Sequence, residues 1–174
     1  MVTTAAAPTE RAARAWEVLD SVPDPEVPVL SVRDLGMVRS VELSSDGTLH
    51  VVLTPTYSGC PATEMIERSV IETLDAAGLG PVRVTLRRAP AWTTDWISDD
   101  GRRKLREYGI APPAHAASKT VPIRIIRGAL SPAPACPHCG SAHTEQISAF
   151  GSTACKALWR CRACGEPFDY FKPI

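Results

Sequence analysis

"LTPTYSGCPATEMIERSV", residues 53–70, joins a β-like run to a helical one through a segment holding Pro55, Gly59 and Pro61, and it carries a solitary cysteine, Cys60. Downstream, Met65, Ile66, Val70, Leu74 and Ala77 recur at the spacing of one helix face. Pro61 suits the first position of that helix and Gly78 its end. Upstream, "TLHVVLTP" (48–55) reads as a strand.

Working outward, "MVRSVEL" (37–43) is a second strand, and "SSDG" between the two is a hairpin signal through Asp46-Gly47. Its Val38, Arg39, Ser40 and Val41 leave its faces unassigned. "PVRVTLRR" (81–88) alternates Val82, Val84 and Leu86 with Arg83, Thr85 and Arg87, a strand with one wet face. Towards the N-terminus, Thr9 is a candidate cap for a helix over 10–20 bearing Ala12, Trp16 and Leu19. "VPDPEVPVL" (22–30) has too many prolines for a helix and reads as an ordered loop. Gly36 of "SVRDLG" supplies a turn. The order is α-β-β-α-β.

Further on, Ser98 caps a short helix, with Asp99 and Asp100 at its positive end and Gly109 past its other end. The run Arg102–Arg106 is expected on its solvated face. Trp16 is expected in the core, and Trp92 and Trp96 either pack the connector or face a partner. Residues 111–122 read as a linker, "IRIIRG" (123–128) as a small strand and "SPAPA" (131–135) as a boundary.

"CPHCG" (136–140) and "CRACG" (161–165) are the most specific signal in the chain. Each C-x-x-C turn sets two sulfurs on one side of a tight loop, and two such turns suit a tetrahedral metal with bonds of about 2.3 Å. Cys136, Cys139, Cys161 and Cys164 are therefore the expected ligands of a structural zinc. Iron in a rubredoxin-like site suits the same thiolates; a disulfide pair or unrelated cysteines are the bland alternatives. "TEQISAF", "KALWRC" and "PFDYF" supply the short strands of a ribbon, and Lys156, Arg160 and Arg162 can offset thiolate charge. His138 and His143 are surplus to a four-sulfur shell. Cys155 is either a small buried hydrophobe or a second thiol open to iron or a cluster.

The expected fold is thus α+β: a small α-β-β-α-β domain, its three-stranded sheet with helices on one face, followed by a C-terminal β zinc ribbon. The boundaries read as a disordered 1–8, a first domain over 9–90, a connector with a short helix over 91–130 and the ribbon over 131–174.

Hydrophobic residues make up 44% of 174, and formal net charge is zero. A packed core follows, and a nucleic-acid binder is disfavoured. No run approaches the ~20 apolar residues that span a bilayer, so no membrane is expected. The N-terminal stretch lacks a basic region followed by an apolar one. A cytoplasmic location is expected, where six cysteines point to metal or redox chemistry before disulfides.

Cys60 stands at a helix start, where unpaired N–H groups and the dipole stabilise a thiolate. Thr54, Thr56, Tyr57 and Ser58 offer hydroxyls, and Asp24 and Glu26 offer carboxylates should their loop fold over the sheet. An inert, buried Cys60 is the alternative on the residues alone. A thiol enzyme needs a positioned base, and neither His50 nor His115 sits in a recognisable Cys–His motif.

"DPEVPVLSVRDLGMV" followed by "TPTYSGCPATEMI" resembles the small-domain family shared by SufT-like proteins and the cytosolic iron–sulfur targeting factors. Asp24, Pro25, Glu26, Pro28, Asp34, Leu35, Gly36, Thr56, Cys60 and Pro61 carry the match, over roughly residues 12–90. "TTDWISDDGRRKLREYGIAPP", "CPHCGS" and "FGSTACKALWRC" extend the likeness over the whole chain to the PaaD family, encoded with phenylacetyl-CoA epoxidase subunits. The resemblance implies an accessory protein that helps mature an iron or iron–sulfur centre of the epoxidase. Its partners would be epoxidase subunits or iron–sulfur assembly proteins. Cys60 would be the transient ligand, with Cys155 as a second thiol and Asp24, Glu26, Thr56 and Ser58 in support. A stable non-catalytic subunit of the oxygenase is the alternative.

Overall fold

A computed structural model of the chain describes residues 8–56, 62–114 and 133–174. The chain divides into two compact units, Met1–Gly101 and Arg102–Ile174.

The first unit begins with α1 (Pro8–Leu19). Thr9 therefore lies inside the first turn instead of capping it, and Pro8, whose missing N–H costs a helix start nothing, comes first. Ala15 and Leu19 are buried, with Trp16 half-buried under the Arg33 guanidinium, 5.7 Å from its ring centroid. β1 (Val38–Leu43) and β2 (Leu49–Leu53) form the expected hairpin. Asp46 accepts from the Thr48 N–H at 2.9 Å, and Gly47 takes φ +83°. The ambiguous faces of β1 have a physical cause: the register shifts between Val38 and Ser40, so both Val38 and Val41 point inward.

After β2, α2 (Thr63–Ala76) crosses over to β3 (Val82–Leu86), which pairs with β2 in parallel. Ile66, Val70 and Leu74 of α2 are buried, but Met65 is 58% exposed, so the expected stripe is narrower than read. Gly78, at φ +72°, ends the helix as a left-handed residue. The sheet order is β1-β2-β3. The core gathers Leu19, Val22, Leu30, Leu35, Leu49, Val51, Leu53 and Leu74. Arg11 holds α1 in place by donating to three carbonyls: Gly47 at 3.3 Å, Leu79 at 2.9 Å and Gly80 at 3.1 Å.

The segment after β3 packs back on the same unit. Trp92 is buried and donates its indole N–H to the Leu35 carbonyl at 2.8 Å. Trp96, in the short 3-10 turn Thr94–Trp96, lies under Arg39, 3.6 Å from its ring centroid. Packing therefore describes both tryptophans. Ser98 caps α3 (Asp99–Glu107) by accepting the Gly101 N–H at 2.9 Å.

In the second unit, β4 (Ile110–Ala111), β5 (Thr144–Ser148), β6 (Lys156–Cys161) and β7 (Pro167–Phe171) form a sheet ordered β4-β7-β6-β5. Two expectations change here. Ala111 is buried in β4, paired with Tyr170, and is not linker. Arg102 is 5% exposed and donates to the Pro113 carbonyl, so it leaves the solvated face. The neighbouring Arg103 stays outside in an exposed pair with Glu107. The strand expected at 123–128 lies outside the described residues.

Candidate metal centre

The two C-x-x-C turns converge. The sulfurs of Cys136, Cys139, Cys161 and Cys164 all lie within 4.8 Å of one another, the one such group of ligating side chains among the described residues. Cys136 and Cys164 are 3.8 Å apart at sulfur, Cys139 and Cys161 3.6 Å. A disulfide needs ~2.05 Å, and these cysteines are free. A tetrahedron with metal–sulfur bonds of ~2.3 Å has edges of about 3.8 Å, so the donor set fits one tetrahedral metal ion.

The turns are built alike. Gly140 donates to the Cys136 carbonyl and Gly165 to that of Cys161, each at 2.9 Å, with φ of +74° and +84°. Within the second turn the Cys164 N–H lies 3.5 Å from the Cys161 sulfur. Backbone N–H groups, that of Cys164 foremost, pull the Cys161 thiol down to about 6 against its burial. Cys164 is pushed up to about 12: the Glu166 backbone bond lowers it, but burial and the neighbouring thiols outweigh that. A bound cation lets the thiols ionise together.

The arginines read as offsets for thiolate charge have a carboxylate. Arg160 binds Glu145 through Nε at 3.0 Å, and Arg162 donates to its other oxygen. The two guanidiniums, Arg160 first, hold the Glu145 carboxyl below its ordinary 4.5. The sign follows: stability from this carboxylate is complete above pH 4.5 and lost as pH falls through its depressed folded value. The clamp is exposed, so salt weakens it. Glu145→Gln is expected to lower the denaturant midpoint of the metal-loaded ribbon slightly at neutral pH and low salt, and the difference should shrink at high salt. Equal midpoints at low salt would show that the clamp adds nothing. Lys156 is buried and meets Asp169 at 3.1 Å. Cys155 stands apart from the quartet, its sulfur 3.0 Å from the Thr153 hydroxyl.

In the first unit, Asp24 is buried and its carboxylate accepts the N–H groups of Glu26 at 2.9 Å and Val27 at 2.8 Å. The proline-rich loop is tied further by Asp24 N–H to the Leu30 carbonyl at 2.8 Å. Glu26 is half-buried beside it. Asp34 accepts from the Ser31 N–H at 3.0 Å and the Ser98 hydroxyl at 3.3 Å. Thr56 is half-buried, whereas Thr54 is 1% exposed and its hydroxyl has no hydrogen-bond partner among the described residues. Ser58 and Cys60 lie outside the described residues.

Comparison with known proteins bears on both units. The family described as "PaaD zinc beta ribbon domain" matches residues 125–172, and that described as "Iron-sulfur cluster assembly protein" matches residues 12–86. A protein of Escherichia coli, named as one subunit of a "Putative 1,2-phenylacetyl-CoA epoxidase", is 52% identical over 160 residues, 91% of each chain. The chain belongs to the PaaD family. Its first half is also 34% identical over 89 residues to an "Fe-S protein maturation auxiliary factor" of Porphyromonas gingivalis, covering 51% of this chain and 84% of that one. The crystal structure of "Domain of Unknown Function DUF59" from Bacillus anthracis shares the fold. It gives a TM-score of 0.52 at 22% identity, over 56% of this chain and 93% of that one. This PaaD-family chain is therefore an α+β protein joining an iron–sulfur-assembly type domain to a zinc-ribbon type domain. Among the described residues no helix is long and apolar enough to cross a membrane.

The Glu145 clamp and the Lys156–Asp169 pair are not legible in the sequence, because both join residues more than ten positions apart in the chain. Asp34 was visible only as a motif letter. Its signal was Ser98, a cap residue expected for α3 that also reaches the Asp34 carboxylate.

Proposed function

We propose that this protein is an accessory factor for maturation of an iron or iron–sulfur centre of a phenylacetyl-CoA epoxidase. The observation that carries this reading is the pairing, in one chain, of an iron–sulfur-assembly type domain with a PaaD ribbon, at 52% identity to the Escherichia coli relative. In this reading iron, or a small cluster, is cargo. Cys60 is its transient ligand, just ahead of α2 in the sequence; among the described residues no side chain caps that helix, and a helix start offers N–H groups to an anion. The hydroxyl of Thr54, six positions before Cys60 and without a partner among the described residues, supports the reading as a further donor to a thiolate. Thr56 and Ser58 line the same short segment of sequence. Asp24 braces its own proline-rich loop, which also carries Glu26, and Cys155 is a second thiol for the cargo.

Cys136, Cys139, Cys161 and Cys164 hold zinc in this reading, and the ion's part is to brace the ribbon, because four thiolates leave no open position. The ribbon and the sheet are the surfaces for epoxidase subunits or iron–sulfur assembly proteins, and the setting is the cytoplasm. Anaerobic reconstitution with iron and sulfide should give visible absorption that Cys60→Ser weakens severalfold, with zinc content unchanged by elemental analysis. An identical spectrum in the variant removes Cys60 as ligand.

A second reading, a stable non-catalytic subunit of the oxygenase, is favoured by the naming of the Escherichia coli relative as part of an epoxidase. Stoichiometric co-purification with the epoxidase supports it; substoichiometric, dissociable association supports the maturation factor.

A further inference from the structure

We propose that the groove over Glu145, Arg160 and Arg162 receives a carboxylate from an acidic segment of a partner protein, with Glu145 as its internal competitor. The inference rests on the reading of the ribbon as a docking surface and names what that surface selects. The groove lies at the metal end of the β5–β6 hairpin. Glu145 and Arg160 are register partners, and two residues further on the Arg162 N–H donates to the His143 carbonyl at 2.9 Å. Side chains alternate along a strand. His143 and Glu145 on one side and Arg160 and Arg162 on the other therefore share a face, while Cys161, between the arginines, turns to the core.

These side chains, with Cys161 and Gly165, border an open groove of about 490 Å³. Two cations in it share one anion. Arg160 spends Nε and Nη2 on one oxygen of Glu145, and Arg162 spends Nη2 on the other. A guanidinium carries five N–H donors in a fixed fork. Arg160 Nη1, both Nε and Nη1 of Arg162, and the His143 ring have no hydrogen-bond partner among the described residues. Glu145 is the deeper partner, its side chain 27% exposed against 55% for each arginine. The free edges of the guanidiniums are thus the part of the clamp that solvent reaches.

Glu145 itself shows which anion fits, because a carboxylate spans both guanidiniums with one oxygen to each. A second carboxylate on the free edges matches two cations with two anions. Arginine clusters read acidic segments in this way, and the planar fork suits a carboxylate better than an ammonium does. The His143 ring adds a polar contact for a neighbouring acidic side chain. A small ligand is normally held with most of its surface covered. This groove is open, which suits a side chain presented by another protein.

Fluorescence anisotropy of a labelled poly-glutamate peptide against the full, zinc-loaded chain tests it, with the poly-glutamine counterpart as control. The expected result is binding of the glutamate peptide alone, weakened by salt. Arg160→Gln and Arg162→Gln should each weaken it roughly tenfold, and Glu145→Gln should tighten it roughly fivefold by releasing both guanidiniums. Arg160→Lys keeps the charge but loses the fork, and should weaken binding nearly as much as Arg160→Gln. Arg87→Gln, the same change of charge at an exposed position of the first unit, should leave it unaltered. Zinc content and circular dichroism check that each variant folds. No binding, a Glu145→Gln protein that binds no tighter, or equal weakening by Arg87→Gln overturns the proposal. So does inorganic phosphate that competes as strongly as the peptide, which would assign the groove to a free anion. None of these outcomes touches the Cys60 reading, which stands or falls on the iron–sulfide spectrum.

Discussion

Cys161→Ser is expected to unfold the second unit while the first stays folded. Cys161 is fully buried, its sulfur accepts the Cys164 N–H, and its own N–H donates to the Glu166 carbonyl at 2.9 Å. It also joins the small apolar cluster of Ala111, Cys136, Phe168 and Tyr170. A ribbon of this size buries too little apolar surface to fold on that alone. Structural zinc in small peptides is worth about 10–16 kcal/mol at neutral pH, far more than the cluster supplies. Amide spectra should show signals of residues 136–172 collapsing to random-coil positions, with those of α1 to β3 retained and bound metal lost. A chelator should do the same to the unaltered protein. Dispersed ribbon signals in metal-free protein would show that apolar packing alone suffices.

The second large effect is expected from Gly36→Ala in the first unit. Gly36 takes φ +64°, and a methyl group there would sit 2.4 Å from the Trp96 carbonyl oxygen and 2.7 Å from its Cβ. The left-handed backbone costs roughly 1–2 kcal/mol for a residue with a Cβ, and the contact with a backbone oxygen cannot be relieved by a rotamer change. A loss of about 3 kcal/mol or more follows. For a unit of about 100 residues that lowers the melting temperature by roughly 12–24 °C. Thermal melts of the two proteins measure it, and a shift of only a few degrees would mean that the Trp96 turn yields at little cost.

Much of this architecture was legible in the sequence, where local chemistry decides local geometry. Asp46-Gly47 announced the hairpin, Gly78 the end of α2, Ser98 the start of α3, and the alternation from Val82 to Leu86 a strand. The quartet was legible because each C-x-x-C pair is close in sequence and thiolates have few other uses in such turns. What escaped was set by distant partners. Met65 fits the helical stripe by spacing, yet the sheet beneath α2 covers only Ile66, Val70 and Leu74. Arg102 looks solvated within a basic run, yet the Pro113 carbonyl draws it inside. Ala111 looks like linker because a two-residue strand has no periodicity to read. Asp24 offers a carboxylate should its loop fold over the sheet, but the chain turns back and the Glu26 and Val27 N–H groups take it up.

The quartet is assembled from two knuckles, and Cys161 follows Cys139 by 22 residues. During synthesis at ~5–20 residues per second, the first pair of thiols therefore leaves the ribosome up to roughly 1–4 s before the second. In that interval Cys136 and Cys139 are a bare dithiol, open to oxidation or to a metal that prefers two sulfurs. By then the chain through Gly101, the whole first unit, has already been made. Translation order thus opens a window for mis-metallation before the ribbon's site is complete.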